Sequence, residues 1–321
     1  MSVPDVVTAG EAMALLMACE PGPLESVRAF ERATAGAELN VAVGLCRLGF
    51  RTGFVTRLGE DSLGRHLRAF MARESIDMRH VRVDAGHPTG FMLKARADGG
   101  ADPGVEYFRR GSAASRLAPI DLPDGAGEFG RARLLHLTGI LPALSAGCAE
   151  LALALARRAR AGGQTVTFDP NLRPRLWPSQ AAMVAGVNAL AVHADVVMPG
   201  LAEGRLLTGR EDPAGIAAYY LERGARQVLV KLGPEGAWVA DRSGAGERVA
   251  GVPAPRVVDT VGAGDGFAVG VISALLDGLP LRAAAARGNA IGARVVGFRG
   301  DCEGLPDRAQ LAAGQGAGAG A

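Results

Sequence analysis

Short β-branched runs alternate with longer stretches of helical spacing along this chain, and that alternation limits its fold more than any other feature. Residues 6–8, 52–56, 134–137, 166–168, 196–198 and 228–230 read as strands. Residues 38–48, 62–74, 149–160, 180–191 and 214–223 read as the helices between them. In 62–74, Leu63, Leu67, Phe70 and Met71 share one face, and Gly49 and Gly162-Gly163 stop the helices that precede them. Repeated β-α units bury their apolar faces most simply as a parallel sheet with helices on both sides. The 321 residues suffice for one large α/β domain with a sizeable core.

Two segments break the rhythm. Residues 12–18 and 26–34 flank Pro21-Gly22-Pro23, and residues 91–96 and 105–109 flank Asp98-Gly99-Gly100. Both read as β-hairpins with no helix directly after them. They form either a small sheet beside the main one, placed to act as a lid, or an irregular extension of the main sheet.

Charge and cysteine usage exclude several classes. The net charge is +2 and the 35 basic residues are dispersed, with no run of the kind that grips nucleic acid. Only Lys94 and Lys231 are lysines. The arginines suit bidentate capture of carboxylate or phosphate, and for most of them compositional bias accounts equally well. Cys19, Cys46, Cys148 and Cys302 lie far apart without a C-x-x-C, which argues against zinc and disulfides and for a reducing compartment. No apolar stretch reaches the roughly 18 residues that span a bilayer, and the N-terminus does not read as a signal peptide. A cytoplasmic protein without membrane partners is expected.

The chemistry concentrates between Arg256 and Leu276. A short apolar strand at Val257 and Val258 leads into Asp259-Thr260-Val261-Gly262-Ala263-Gly264-Asp265-Gly266, and a helix with Phe267, Val271, Ile272 and Leu275 follows. Glycines at the turn and unpaired amides at the helix start make an anion cradle suited to a transferring phosphoryl group. Asp265, where turn enters helix, reads either as a general base toward an attacking hydroxyl or as the N-cap of the helix. The segment is not a Walker A loop, because no lysine lies near it, and it lacks a complete dinucleotide-binding fingerprint. Lys231-Leu232-Gly233-Pro234-Glu235-Gly236 reads as a hairpin turn or as a loop over a nucleotide. Gly36-Ala37-Glu38-Leu39-Asn40 opens a helix that presents Asn40 to a ligand or to solvent. Asp169-Pro170-Asn171-Leu172-Arg173 follows a strand, where α/β sheets place ligands. Tyr107-Phe108-Arg109-Arg110 ends a hairpin strand. The five histidines have no metal-ligand spacing and read as structural or surface residues.

In their order, these motifs resemble those of the ribokinase-type (PfkB) carbohydrate kinases. Gly36–Asn40 is similar to the family's early glycine motif, Lys231–Gly236 to its nucleotide loop and Asp259–Asp265 to its late signature, and the resemblance runs from about Val6 to Leu311. Within the family, Tyr107–Ala113, Asp169–Arg173, Gly288–Ala293 and Gly300-Asp301-Cys302-Glu303-Gly304-Leu305-Pro306 resemble the branch that acts on 2-keto-3-deoxygluconate. The resemblance implies an α/β, ribokinase-like three-layer sandwich with a mostly parallel central sheet and a small β-sheet lid. The kinase domain would take residues 1–11, 36–87 and 112–310, the lid 12–35 and 88–111, and a disordered tail 311–321.

It also implies roles. Asp265 is the base, and the amides of Gly262, Ala263 and Gly264 form the anion hole. Gly36, Asn40, Tyr107, Phe108, Arg109, Arg173 and Asp301 hold a sugar acid, with Arg109 or Arg173 on its carboxylate. Asn171, Lys231, Gly233, Gly236 and Asn289 line the ATP site. Glu203 reaches Mg2+ through water, and a monovalent cation such as K+ is an optional addition. Dimerisation through the lid is expected. The chain departs from the family pattern at Gly200, where the metal-site Asn is usual, at Ala35, where the first glycine of the early motif stands, and at Met92, an aromatic in some relatives. A kinase for another sugar, such as fructose, ribose or 5-keto-2-deoxygluconate, and a non-catalytic sugar-acid sensor are the competing readings.

Overall fold

A computed structural model of the chain describes residues 3–96, 103–123, 128–244 and 246–317. In chain order the strands are β1 (Val6–Ala9), β2 (Met13–Pro21), β3 (Phe30–Ala35), β4 (Thr52–Gly59), β5 (Asp77–Asp84), β6 (Phe91–Arg96), β7 (Val105–Phe108), β8 (Leu134–Thr138), β9 (Thr165–Asp169), β10 (Val196–Val197), β11 (Gln227–Lys231), β12 (Gly236–Asp241) and β13 (Gly246–Ala250). The helices are α1 (Ala37–Arg47), α2 (Ser62–Arg73), α3 (Leu141–Leu144), α4 (Ala146–Ala161), α5 (Gln180–Ala191), α6 (Leu201–Thr208), α7 (Pro213–Glu222), α8 (Ala263–Leu276), α9 (Leu281–Val295) and α10 (Arg308–Ala317).

Nine strands form the main sheet in the order β13-β12-β11-β10-β9-β8-β1-β4-β5. From β11 to β5 every neighbouring pair is parallel, and β12 and β13 add an antiparallel edge. Successive residues of the central strands feed two separate cores. Val6, Leu134, Val196 and Leu229 face a cluster with α1, α2, α8 and α9. Val7, Leu135, Val197 and Val228 face a cluster with α4, α5 and α7. The period-2 alternation of a strand thus produces the three layers directly.

The two irregular segments make a second sheet, β3-β2-β6-β7, with its own apolar layer of Met13, Leu15, Met17, Ala35 and Met92. Each hairpin pairs antiparallel, and β2 joins β6 in parallel. The turn at Asp98-Gly99-Gly100 lies outside the described residues.

Two expectations fail here. Val257 and Val258 form no strand: the amides of Val258 and Asp259 bond to the carbonyl of Val296, at the end of a helix, so there is no neighbouring strand for them to join. Helix α10 also continues to Ala317, into the stretch read as a disordered tail.

Helix α8, which starts within the glycine turn, is buried on nearly every side. It lies so close to α9 that a Cβ on Gly270 would stand 2.5 Å from the Cα of Gly288 and 2.6 Å from its nitrogen. Backbone cannot yield as a side-chain tip can. Gly270→Ala is therefore expected to destabilise the chain by about 1–3 kcal/mol through overpacking, read as a lower urea midpoint. An unchanged midpoint would show that the two helices can separate freely.

Candidate active site

A cavity of about 500 Å³ opens at the carboxyl ends of the parallel strands, walled by the starts of α1 and α8 and roofed by the small sheet. Parallel sheets gather ligand sites at this end because loops and helix N-termini converge there. Gly36, Asn40, Tyr107, Arg109, Asn171, Arg173, Glu203, Lys231, Gly262, Gly264, Asp265 and Asp301 all line it. The other expected residues are not among its lining. Ala263 is the first residue of α8. Gly233 and Gly236 bound the turn between β11 and β12, each with positive φ. Asn289 donates through its amide to the carbonyl of Ala250 at 2.9 Å, tying α9 to β13. Phe108 does not line the cavity: it is exposed on β7 and stacks on Phe91 with ring centroids 4.6 Å apart.

The turn expected to form the anion cradle is built as its glycines require. Gly262 is the N-cap of α8 at φ 84°, and a Cβ there would strike the carbonyl of Asp301 at 2.6 Å. Both facts demand glycine. The amides of Gly264 and Asp265 fall in the first helical turn, where no helical carbonyl reaches them. The macrodipole adds partial positive charge at the same place.

Asp265 is the third residue of α8, so the N-cap reading is overturned. Its carboxylate accepts from the Asn40 amide at 2.7 Å and from Asn171 at 3.4 Å. Asn171 takes φ 38°, a conformation asparagine tolerates better than most residues. Burial raises the Asp265 carboxyl above its ordinary range, while the Asn40 bond and the charges of Arg173 and Lys231 pull it back down. A carboxylate so balanced can stay ionised yet accept a proton. Asn40 thus orients the Asp265 carboxylate, a task beyond the ligand contact expected of it.

Lys231 ends β11 and donates to both oxygens of Asp169 at 2.7 and 2.8 Å. Burial would lower its ammonium, but Asp169 and Glu203 outweigh it. Burial pushes Asp169 up to about 6 against the pull of Lys231. A Cβ on Gly264 would lie 3.6 Å from the Lys231 Nζ, so the ammonium sits beside the cradle. Glu203 spends one oxygen on the amide of Leu172 and the other on that of Gly200, both at 2.7 Å. A metal would therefore meet it best through water. Among the described residues no group of three or more His, Cys, Asp or Glu could hold a metal directly.

The two arginines differ. Arg109 donates to buried Glu11 through Nε at 2.6 Å, and Glu11 also accepts from the Ser112 hydroxyl. Arg173 donates to the carbonyl of Leu172 at 2.9 Å and, among the described residues, forms no salt bridge to a carboxylate. Asp301 accepts from Lys94 at 3.1 Å.

Sequence reasoning missed Glu11, Glu38 and Lys94 as site residues. Burial pushes Glu38 up to about 7, and Thr138 donates its hydroxyl to it. The scarcity of lysine was a usable signal for Lys94.

Known proteins resemble this chain along most of its length. The model of the pfkB family carbohydrate kinases matches residues 3–308. A 2-dehydro-3-deoxygluconokinase of Bacillus subtilis (strain 168) is 49% identical over 309 residues, covering 96% of this chain and 94% of that protein. One from Thermoproteus tenax is 35% identical, covering 94% and 91%. The crystal structure of a PfkB protein from Polaromonas sp. JS666 is 51% identical, with a TM-score of 0.88 over 97% of this chain and 99% of that one. A fructokinase double mutant from Vibrio cholerae O395, solved with fructose, ADP and potassium ion, is 27% identical with a TM-score of 0.84, covering 97% and 98%.

Asn40→Ala removes a hydrogen bond made to the ionised form of Asp265, so the carboxyl pKa must rise. The acid limb of the kcat/KM profile is expected to move to higher pH, while the basic limb stays. An acid limb that does not move would remove Asn40 from the role of orienting the base.

Proposed function

We infer that this chain, which belongs to the pfkB family of carbohydrate kinases, transfers the γ-phosphoryl group of ATP to the terminal hydroxyl of 2-dehydro-3-deoxygluconate. The products are the 6-phospho acid and ADP. Both relatives described above carry that activity in their names. The observation that carries the substrate claim is Arg173, a cation with no salt bridge among the described residues that lines the same cavity as Asp265. A sugar acid supplies the missing carboxylate, and a neutral sugar does not. Arg109, already paired with Glu11, serves better as a wall fixed in place.

Asp265 accepts the proton of the attacking hydroxyl as the bond to phosphorus forms. The first-turn amides of α8 and the Lys231 ammonium face the charge that develops on the phosphoryl oxygens. Transfer is direct and in line, with no covalent enzyme intermediate. Positioning and charge neutralisation supply most of the acceleration. The nucleotide extends past Lys231 toward Gly233, Gly236 and Asn289. Glu203 would hold Mg2+ through a water molecule, and the ion would neutralise charge on the ATP phosphates.

The small sheet serves as the lid over the sugar. Tyr107 and Phe108, both nearly half exposed on β7, offer a second copy of the chain a surface on which to pair. The four unpaired cysteines suit the reducing cytoplasm.

Two variants test this reading. Asp265→Asn is expected to lower kcat about 10³-fold, the scale of a lost general base, with little change in ATP affinity. Arg173→Ala is expected to raise the KM for the sugar acid about 10- to 100-fold, the worth of a charge-assisted hydrogen bond, and to leave the KM for ATP nearly unchanged. Retained turnover in the first, or equal effects on both substrates in the second, would overturn the role concerned.

A further inference from the structure

The chain keeps only two lysines among 35 basic residues, and each pairs with carboxylates in or beside the cavity, Lys231 partly buried and Lys94 fully. Lys231 belongs to the machinery above. Lys94 does not. It stands on β6 of the small sheet, 3% exposed, and its ammonium bonds to Asp259 and, at 3.1 Å, to Asp301. Those two acids both contact the glycine turn. The other oxygen of Asp259 accepts from the amide of Val261 at 3.0 Å. The carbonyl of Asp301 is the atom that Gly262 presses against. One ammonium therefore joins the small sheet to both supports of the anion cradle.

The charge arithmetic gives that contact a purpose. Asp259 and Asp301 are both buried beside amides that must receive a phosphoryl group. Without a cation between them they would repel each other and the incoming anion. Burial would lower the Lys94 ammonium, but Asp301 and Asp259 outweigh it and keep it charged. Arginine, this chain's usual base, is planar and broad, whereas an ammonium is a compact point charge. In charge and size an ammonium is close to a potassium ion.

We propose that Lys94 is a positioning residue whose ammonium serves as a built-in monovalent cation, fixing the anion cradle, coupling it to the seating of the small sheet, and freeing turnover from any need for potassium. The proposal deepens the kinase reading and rests on it for its kinetic readout. It extends to ion dependence: a chain that carries its own cation here is indifferent to which small cation the solution offers.

The experiment has two arms on the full chain. In the first, potassium is replaced by tetramethylammonium, which is too large to enter such a site. Wild-type turnover and melting temperature are expected to be unchanged. In the second, Lys94→Ala is assayed with and without methylammonium or potassium. It is expected to lose about 100-fold in kcat, the scale of a lost electrostatic support, and to regain about tenfold when either small cation is added. The same cations should raise the melting temperature of the variant and leave that of the wild type in place, whereas a merely structural lysine would give no rescue. A wild type that requires potassium overturns the proposal, as does a folded Lys94→Ala that no small cation restores. If Lys94→Ala does not fold, Lys94→Met, which keeps the apolar stem and removes the charge, takes its place. If no sugar acid is phosphorylated, the kinase reading fails, and the cation-dependent melting of the variant still decides the role of Lys94.

Discussion

Six buried carboxylates among the described residues, Glu11, Glu38, Asp169, Asp259, Asp265 and Asp301, gather in or beside the cavity, and the site depends on how each is compensated. Asp169 is matched by Lys231, and Asp259 and Asp301 share Lys94. Glu11 is matched by Arg109, and among the described residues two of these acids form no salt bridge: Glu38, which accepts from the Thr138 hydroxyl, and Asp265. Asp265 is held by the neutral amides of Asn40 and Asn171. On the proposed mechanism the paired acids are counter-charges, and Asp265, held by neutral donors in the first turn of α8, keeps the freedom to take up a proton.

The scaffold supports this arrangement through close backbone contact. Gly270 on α8 meets Gly288 on α9, and Gly44 on α1 makes room for Val269. These contacts fix the axis of α8, and with it the direction of its first-turn amides. A cradle that must neutralise a transition state gains from such rigidity, because donors already in place need no reorganisation as charge develops. The small sheet stands on the other side of the cavity and reaches the cradle through Lys94. A rigid helix and a sheet tied to it by one ion cluster together define the space for the two substrates.

Much of the fold was legible in the sequence because its central strands are short and apolar and its helices carry clear stops. The hairpins were legible from proline and glycine at their turns, although whether they formed a separate sheet was not. The edge strands β5 and β13 were missed. Their sequences, Asp77–Asp84 and Gly246–Ala250, are largely polar because one side faces solvent. Helix α9, rich in alanine, arginine and glycine, lacks a strong apolar stripe and was read only as a motif. Asp265 and the glycine turn were legible because their geometry is local. The partners were not: Asn40 lies 225 residues from Asp265, and Lys94 lies 207 from Asp301. No local pattern encodes such pairings. They arise when the two sheets and α8 are brought together.

The central claim is that the cavity is built for an acid carrying a 2-keto-3-deoxy group. The most direct measurement is ADP release from Mg-ATP with 2-keto-3-deoxygluconate, its galactonate epimer, fructose, ribose and 5-keto-2-deoxygluconate offered in parallel. The account predicts that kcat/KM for the 2-keto-3-deoxy acids far exceeds that for the neutral sugars. Faster phosphorylation of fructose or ribose would contradict it, leaving the base and cradle in place but removing the carboxylate from the role assigned to Arg173.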